Sequence, residues 1–246
     1  MTVEERFNAK NAAGFYTQQD DVFGRIAARY NILSDLFSIG IHRLWKRRVA
    51  RLIARESWSQ LLDCATGTGD IILRVIHRKK LEPHQTIIAS DISPQMLAIA
   101  QQRLKSETKI VFQVLDAHSI PEIATASVDL YSISLGLKIC EREQVLQEVM
   151  RVLRPGGRLV VLEASNIPWT WLHDLYLKYM HICMPVIGWI ATRGDTSAYK
   201  YLLNGIEKFP SAEALADEIL SLGFVDVSFQ RLSLGIVAIH IARKPY

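Results

Sequence analysis

Polar side chains follow five predicted strands, each at or just past the residue where a strand ends. They are Asp63, Asp91, Asp116, Ser134 and Glu163. In an open α/β sheet, the carboxyl ends of the parallel strands line one edge, and ligands bind in the crevice outside that edge. We therefore expect these side chains to surround one binding site. An ionised carboxylate accepts hydrogen bonds and cannot donate them. The acids therefore suit ligand groups that donate hydrogen bonds, such as sugar hydroxyls and amines.

A glycine-containing turn, Gly67-Thr68-Gly69-Asp70, joins the first of these strands to an apolar-periodic helix. Glycine lets the backbone approach a ligand closely. The dinucleotide fingerprint requires a third glycine, and that position is Ile72. Asp70 would repel a phosphate at the helix N-terminus and attract a cation. The pattern favours a ligand with an amino group and a sulfonium centre, such as S-adenosylmethionine, over a nucleotide; a plain tight turn is the alternative.

Two further acids extend this pattern. Asp91 lies 22 residues after Gly69, where an acid binds the two ribose hydroxyls of an adenosine. Asp116 and Ala117 follow the third strand and would border the adenine. Capping of a helix or turn is the alternative for both acids.

The elements that must position these residues alternate between strand and helix. Buried strands are predicted near 60–63, 86–91, 109–114, 127–133 and 158–162, and a hairpin near 225–229 and 236–241. Alternation of this kind indicates an α/β fold with a doubly wound, mostly parallel seven-stranded sheet and a C-terminal antiparallel hairpin. We expect a single domain over 1–246. Two helical parts would form a lid over the acceptor substrate: a segment over 1–58 and an insertion at about 168–209. The insertion is expected to be broken at Pro185 and Gly188.

Composition excludes several classes of protein. The 246 residues are 49% hydrophobic and 22% charged, and the net charge is 29 − 25 = +4, which is ordinary for a globular protein. The three cysteines, Cys64, Cys140 and Cys183, are widely spaced, which favours free thiols over a zinc site. The seven histidines lack ligand spacing, so no metal is expected. The N-terminus has no apolar signal core, and the longest apolar stretch is shorter than the ~20 residues of a membrane span; we expect a cytoplasmic protein.

Three stretches of the chain resemble one enzyme family. They are 22–31 with its continuation to 46, the loop 63–70, and the C-terminal pieces 198–202, 209–210 and 235–240. The loop is similar to that of all class I S-adenosylmethionine-dependent methyltransferases. The first and third stretches more narrowly resemble the ubiquinone/menaquinone-biosynthesis C-methyltransferase family, and the likeness extends over roughly 22–242.

The resemblance implies a reaction and a set of site residues. Members methylate a ring carbon of a polyprenylated quinol, either demethylmenaquinol or 2-polyprenyl-6-methoxybenzoquinol, and use no metal. The residues expected to bind S-adenosyl-L-methionine are Asp63, Gly67, Thr68, Gly69, Asp91, Ile92, Asp116, Ala117 and Ser134.

The segment after the fourth strand departs from the family. The family usually has Ser-Phe-Gly-Leu-Arg-Asn, whereas this chain has Ser-Leu-Gly-Leu-Lys-Ile at 134–139. Lys138 keeps a cation without the planar fork of arginine. Ile139 removes a polar group. A paralogue acting on another small aromatic acceptor therefore stays open, as does a non-catalytic subunit that binds the cofactor. A dehydrogenase is disfavoured by the missing glycine and by Asp70.

Few residues are candidates for the chemistry itself. Lys138 would stabilise a phenolate formed on the acceptor, unless it is a solvated loop lysine. Tyr30 and Tyr199 would contact the acceptor, with core packing as the alternative. His118 lies close to Asp116, but a surface turn explains it better than a catalytic base does. We assign no general base from the sequence.

A basic run, beside Trp45, suggests contact with anionic lipid, where a prenylated quinol resides. It comprises Arg43, Lys46, Arg47, Arg48 and Arg51. The expected location is cytoplasmic, with peripheral association on the inner face of the membrane; a solvated helix is the alternative. Nucleic acid is not an expected partner, since no aromatic stacking platform accompanies the run. A monomer and a homodimer both stay open.

Overall fold

A computed structural model describes residues 27–192 and 197–246, with the backbone alone for 28, 187–192 and 197–201. Seven strands form one sheet. They are β1 (Gln60–Cys64), β2 (Thr86–Asp91), β3 (Ile110–Val114), β4 (Val128–Ser134), β5 (Leu153–Ala164), β6 (Val225–Leu232) and β7 (Val237–Arg243).

The strand order in the sheet is β3-β2-β1-β4-β5-β7-β6. The strands from β1 to β5 pair in parallel, and β7 pairs antiparallel with both β5 and β6. The predicted fold class is confirmed, including the C-terminal hairpin. The order reverses direction at β1, so the crevice between the ends of β1 and β4 is the switch point at which this architecture binds ligands.

Eight helices are described, together with short 3₁₀ turns at Ala27–Arg29, Leu137–Ile139 and Ser233–Gly235. The helices are α1 (Tyr30–Ser38), α2 (His42–Arg55), α3 (Asp70–Ile76), α4 (Pro94–Arg103), α5 (Arg142–Val152), α6 (Thr170–Thr192), α7 (Ser197–Glu207) and α8 (Ala212–Ser221). Ser93 accepts a hydrogen bond from Met96 N at the start of α4, and Pro94 occupies its first turn, as expected for a capped helix.

Two predicted boundaries are wrong. Helix α6 runs unbroken from Thr170 to Thr192, through both Pro185 and Gly188. A proline removes one hydrogen bond of a helix and can kink it without ending it. Strand β5 begins at Leu153 rather than near the predicted residue 158, so it includes the Pro-Gly-Gly sequence at 155–157. Leu153 pairs with Val128, and pairing resumes between Arg158 and Leu130, so the intervening residues form a bulge within the ladder.

Both faces of the sheet are buried. Leu61 and Leu62 are adjacent on β1 and belong to separate apolar clusters, one on each face, because successive strand residues point in opposite directions. A third cluster joins Leu33 on α1, Met180 and Met184 on α6, and Leu203 on α7. This cluster brings the N-terminal segment against the helical insertion near the carboxyl ends of the strands. The single domain with a lid stays a prediction.

Candidate active site

Asp63 lies beneath the loop between β1 and α3. Its side chain is fully buried, with Ser132 Oγ donating to Oδ1 and Thr66 Oγ1 donating to Oδ2 at 2.7 Å. Burial raises the pKa of Asp63 to about 6, although these two hydrogen bonds oppose the shift. Because its side chain is enclosed within the protein as well as hydrogen-bonded through both oxygens, Asp63 is positioned to hold the loop rather than to touch a ligand.

Asp91, at the end of β2, binds the backbone of the same loop. Its Oδ2 accepts a hydrogen bond from Gly67 N at 2.7 Å, and its Oδ1 accepts one from Ser93 N at 2.9 Å. Gly67 has a φ of +57°, and a Cβ built on it meets no atom within 4 Å. The loop is therefore held against Asp91 while its outer side faces open space that a ligand can occupy.

Asp70 differs from its predicted state, because its charge is neutralised. Lys46 Nζ lies 2.9 Å from Oδ2, and Arg103 Nη2 lies 2.7 Å from Oδ1. These cations hold the pKa of Asp70 well below its usual range, against the opposing effect of burial. Arg103 also donates to the carbonyl oxygen of Thr68 at 2.5 Å. Asp70 thus anchors the loop, and its charge, already neutralised by Lys46 and Arg103, does not attract a cationic ligand as the sequence predicted.

Lys46 is a correction to the predicted lipid-binding run. It is only 6% exposed and is committed to Asp70, so it cannot reach a membrane. Arg48 is half-buried and donates to Gln230 Oε1 at 3.2 Å. Three members of the run are exposed, one helical turn apart on the same face of α2: Arg43, Arg47 and Arg51.

The segment after β3 brings Asp116 and His118 together. Asp116 Oδ1 accepts from His118 N at 3.0 Å and contacts His118 Nδ1 at 2.5 Å. His118 Nε2 accepts a hydrogen bond from Glu141 N at 2.9 Å, so the ring proton resides on Nδ1. His118 is therefore a turn residue with both ring nitrogens engaged. Ala117 packs against the core, and Ile92 is half-buried beside Asp91.

The loop after β4 lies against the loop after β1. Leu135 has a φ of +61°, and a Cβ on Gly136 would lie 2.5 Å from Ala65 Cβ. Only glycine permits this approach at 136. The Oγ atom of Ser134 is enclosed and has no hydrogen-bond partner in the described part of the chain. An enclosed hydroxyl without a partner is costly, and a polar ligand group at the switch point would satisfy it.

A cavity of about 270 Å³ lies beside this switch point. Its walls come from α1, α2, α6 and α7 and from the ends of β5 and β7, and they are mostly apolar, including Leu33, Phe37, Trp45, Met180, Met184 and Ile206. Three lining residues, Ile39, Ile41 and Tyr179, are also exposed and mark its mouth. The cavity suits a largely hydrophobic ligand.

Lys138 lines the cavity and forms an ion pair with Glu163. Lys138 Nζ lies 3.2 Å from Glu163 Oε1, and the two side chains are 7% and 0% exposed. Lys138 Nζ also donates to the carbonyl oxygen of Leu135. Glu163 accepts in addition from Lys138 N at 3.1 Å and from Ala164 N at 2.8 Å. Lys138 is therefore not a solvated loop lysine; it places a cation in the wall of the cavity.

Tyr30 lies between the cavity and the loop. It lines the cavity, and Lys46 Nζ is 6.0 Å from the centre of its ring. Burial, supported by the charge of Asp91, raises the pKa of Tyr30 to about 12, so its hydroxyl stays protonated near neutral pH. Tyr199 belongs to α7, but its side chain lies outside the described residues, and its role stays a prediction.

Sequence reasoning missed three residues of this region: His42 in the cavity, Arg103 on the loop, and Asn31, which accepts from Thr68 Oγ1 at 2.9 Å. One signal was available for His42. It lies four residues before Lys46, on the face of α2 that also carries Val49 and Ile53. That face of α2 is apolar and packs against the core, so a polar side chain on it is expected to point into the protein.

A family model and individual proteins similar to this chain point to the same methyltransferase family. The ubiE/COQ5 methyltransferase family matches residues 12–244. Two proteins called ubiquinone/menaquinone biosynthesis C-methyltransferase UbiE are similar to the chain. The one from Paracoccus denitrificans is 39% identical over 227 residues, covering 91% of this chain and 89% of that protein. The one from Dinoroseobacter shibae is 36% identical over 243 residues, covering 94% and 95%.

Among solved structures, a methyltransferase from Thermotoga maritima shares the fold. That protein is described as S-adenosylmethionine-dependent and as a possible histamine N-methyltransferase; the TM-score is 0.64 at 18% identity, covering 91% of this chain and 98% of that one. At this identity the likeness concerns the fold alone.

Among the helices of residues 27–192 and 197–246, none combines the length and the apolar character that a membrane span requires.

Proposed function

Because the chain belongs to the ubiE/COQ5 methyltransferase family, we propose that this methyltransferase transfers a methyl group from S-adenosyl-L-methionine to a ring carbon of a polyprenylated quinol, demethylmenaquinol or 2-polyprenyl-6-methoxybenzoquinol. The observation that carries the proposal is the apolar cavity beside the switch point, with the Lys138–Glu163 pair in its wall. A prenylated aromatic ring fits such a cavity, because apolar walls bind the tail and a few polar groups orient the ring.

The residues around the glycine turn fit the methyl donor. Asp91 would bind the ribose hydroxyls, and Asp116 and Ala117 would border the adenine. Ser134 Oγ, which lacks a described partner, would form a hydrogen bond with a polar group of the ligand. The free side of Gly67 leaves room for the ligand against the loop. Thr68, Gly69 and Ile92 would complete this site, with Asp63 beneath it. When bound, the donor supplies a methyl group already activated by a sulfonium centre.

The protein side of the reaction is to orient the acceptor and to stabilise negative charge on it. A ring carbon becomes nucleophilic as charge builds on the neighbouring oxygen. Lys138 is a buried cation in the cavity wall and would stabilise that charge in a medium of low polarity. Tyr30, protonated near neutral pH, would donate a hydrogen bond, and Tyr199 on α7 would contact the acceptor.

We further propose peripheral membrane contact, supported by exposed apolar side chains on α1, α2 and α6, which line the cavity, and on two adjoining turns. Exposed apolar side chains form a set that we call the apolar rim: Ile32, Leu36, Ile39, Leu44, Trp171, Leu175, Ile182, Val186 and Leu234. Those on α6 recur at helical spacing. Arg47 and Arg51 extend from the rim along α2, with Arg43, which also pairs with Asp35 at 2.5 Å. Apolar side chains beside arginines are complementary to an anionic bilayer, from which a quinol would enter the cavity.

The activity is tested with labelled S-adenosylmethionine and a panel of acceptors: demethylmenaquinol, a 6-methoxybenzoquinol and a soluble phenol. We expect the label on a quinol, and stabilisation of the protein against heating by S-adenosylhomocysteine but not by NAD. Transfer to the soluble phenol alone would favour the alternative hypothesis, a paralogue that methylates another small aromatic acceptor. Stabilisation without transfer to any acceptor would favour the non-catalytic subunit, and no stabilisation would overturn the proposal.

Membrane contact is tested by sedimentation with vesicles. We expect binding to vesicles rich in phosphatidylglycerol and weak binding to phosphatidylcholine vesicles. The double variant Ile39→Asn/Trp171→Ala should reduce binding at least tenfold, whereas Leu220→Ser, which removes an exposed apolar side chain on α8, should leave it unchanged. Equal binding by both variants would contradict the assignment of this surface.

A further inference from the structure

His42 is a histidine of the cavity that the proposed chemistry leaves without a role. It begins α2, lines the cavity, and is only 4% exposed. Its Nδ1 atom lies 2.8 Å from Ser38 Oγ on α1. The protonation of the two ring nitrogens decides what the side chain can bind, because a neutral imidazole has one donor and one acceptor.

The hydrogen bonds of Ser38 determine which nitrogen carries the proton. Ser38 Oγ donates its single hydrogen to the carbonyl oxygen of Ser34, at 2.7 Å. It also accepts from His42 N at 3.3 Å. The hydroxyl has no second hydrogen to offer, so in its contact with His42 Nδ1 the ring must be the donor. Asp35 Oδ1, 3.7 Å from Nδ1, favours a proton on that atom as well.

The other ring nitrogen therefore carries a lone pair. Nε2 of His42 has no hydrogen-bond partner among the residues that the structure describes. The atom is not fully enclosed, so a ligand in the cavity can reach it. Burial, with Lys46 nearby, lowers the pKa of His42 to about 4, so the ring is neutral near pH 7. The atom that His42 offers to a ligand is an acceptor only.

The remaining polar groups of the cavity do not duplicate this property. The Glu163 oxygens are engaged by Lys138 and by backbone N–H groups. Burial raises the pKa of Tyr30 and of Tyr176 to about 12, so both present protonated hydroxyls. The other hydroxyls of the described lining can each donate as well as accept; they belong to Ser34, Ser38, Ser233 and Tyr179. Within that lining, His42 is thus the polar side chain whose unpaired atom can only accept.

We infer that His42 Nε2 accepts a hydrogen bond from a hydroxyl of the aromatic acceptor and thereby makes the cavity selective for the reduced quinol over the quinone. This inference rests on the proposed function. A quinol offers an O–H donor at the ring, whereas a quinone offers only carbonyl oxygens, whose lone pairs would oppose that of Nε2. The selectivity is useful, because only the electron-rich quinol ring can take a methyl group from a sulfonium.

The test compares ligands that differ in the donor, in the absence of the methyl donor. The full chain is titrated calorimetrically with 1-naphthol, 1-methoxynaphthalene and 1,4-naphthoquinone. We expect 1-naphthol to bind 10- to 100-fold more tightly than the other two, since a buried acceptor left without a donor is costly. In His42→Asn the amide nitrogen can still donate to Ser38, but the Nε2 acceptor is gone, and the ratio should fall towards one.

Ser38→Ala provides a second test. Without the Ser38 acceptor, only the more distant Asp35 Oδ1 at 3.7 Å still favours a proton on Nδ1. More of the rings then carry the proton on Nε2, so quinone binding should improve and the ratio should fall. Ser221→Ala is the matched control, because Ser221 Oγ makes the same kind of bond to a helix carbonyl, Glu218 O at 2.8 Å, away from the cavity. It should keep the wild-type ratio. S-adenosylhomocysteine binding by each variant verifies that the site is folded.

The outcomes separate the inference from the proposed function. An equal affinity of the wild type for naphthol and its methyl ether, or an unchanged ratio in His42→Asn, would overturn the role of His42 even if the enzyme methylates quinols. Failure of the wild type to bind any naphthalene ligand, with S-adenosylhomocysteine still bound, would overturn the proposed acceptor class together with this inference.

Discussion

Lys46 and Asp70 form a buried ion pair in which Nζ and Oδ2 are 2.9 Å apart. The pair joins α2, in the N-terminal segment, to the first residue of α3, which follows the glycine turn. Arg103 on α4 binds the second oxygen of Asp70 at 2.7 Å. Three helices therefore converge on one carboxylate beneath the expected cofactor loop. The N-terminal segment contributes to the order of that loop as well as to the wall of the cavity.

Asp70→Asn should lower the free energy of unfolding by about 3 kcal/mol, because it leaves Lys46 buried without a carboxylate. Urea denaturation followed by circular dichroism measures the loss. Asp217→Asn, at an exposed position of α8, is the matched control and should have little effect. Equal midpoints for the two variants would show that the ion pair does not stabilise the fold.

The two glycines of the turn should respond differently to alanine. Gly69 has a φ of +80°, and its new Cβ would lie 2.9 Å from Leu104 Cδ1, so Gly69→Ala should cost about 2 kcal/mol of stability. Gly67→Ala meets no atom and should cost about 1 kcal/mol, the price of its positive φ. Its methyl group occupies the open side of the loop, however. Calorimetry should show that Gly67→Ala loses more affinity for S-adenosylhomocysteine than its small loss of stability suggests.

Asp91→Ala should weaken the binding of S-adenosylhomocysteine by about 100-fold or more. The expected contacts with two ribose hydroxyls are hydrogen bonds to a charged group, each contributing about 1.5–3 kcal/mol. Isothermal titration with Asp217→Ala as the reference measures the effect. An affinity within threefold of that reference would exclude Asp91 from the binding site.

Lys138→Met should reduce kcat by about 100-fold while leaving the affinity for S-adenosylhomocysteine unchanged, because it removes the cation expected to face the developing phenolate. The substitution also leaves Glu163 buried and unpaired, which lowers stability. The double variant Lys138→Met/Glu163→Gln removes that charge and should recover stability without activity. Recovery of both would mean that Lys138 acts only by balancing Glu163.

The stability of the protein should fall on acidification partly through His42. Its pKa is about 4 in the folded state and 6.5 in the unfolded chain, so the unfolded state binds a proton first as the pH decreases. The contribution is present above pH 6.5 and is lost between about pH 6.5 and 4. The charged groups that act on the ring are Asp35, Arg43, Lys46 and Asp70. The melting temperature of His42→Asn should fall less steeply over this pH range than that of the wild type. Identical slopes for the two proteins would refute the lowered pKa of His42.

The fold, and the meeting of the glycine turn with the neighbouring strand ends, could be predicted from the sequence because their signals are local. Buried strands appear as short apolar runs, and parallel strands bring their carboxyl ends to one edge whatever the details of packing. Asp91 contacts the loop at Gly67 as expected for two neighbouring strand ends. The hairpin of β6 and β7 was likewise indicated by a connection of a few residues.

The charges and the cavity were decided only by the tertiary structure. In the sequence, Lys46 belongs to a run of basic residues, but 3.6-residue periodicity turns it inward while Arg43 and Arg47 face outward. Its partner Asp70 is 24 positions away, and Trp45 donates to Ser233 Oγ across 188 positions. Such pairings depend on how whole helices pack against the sheet. Hence the sequence by itself determined which elements form and where the strands end, whereas packing decided which charges are neutralised and what His42 and Lys138 can do.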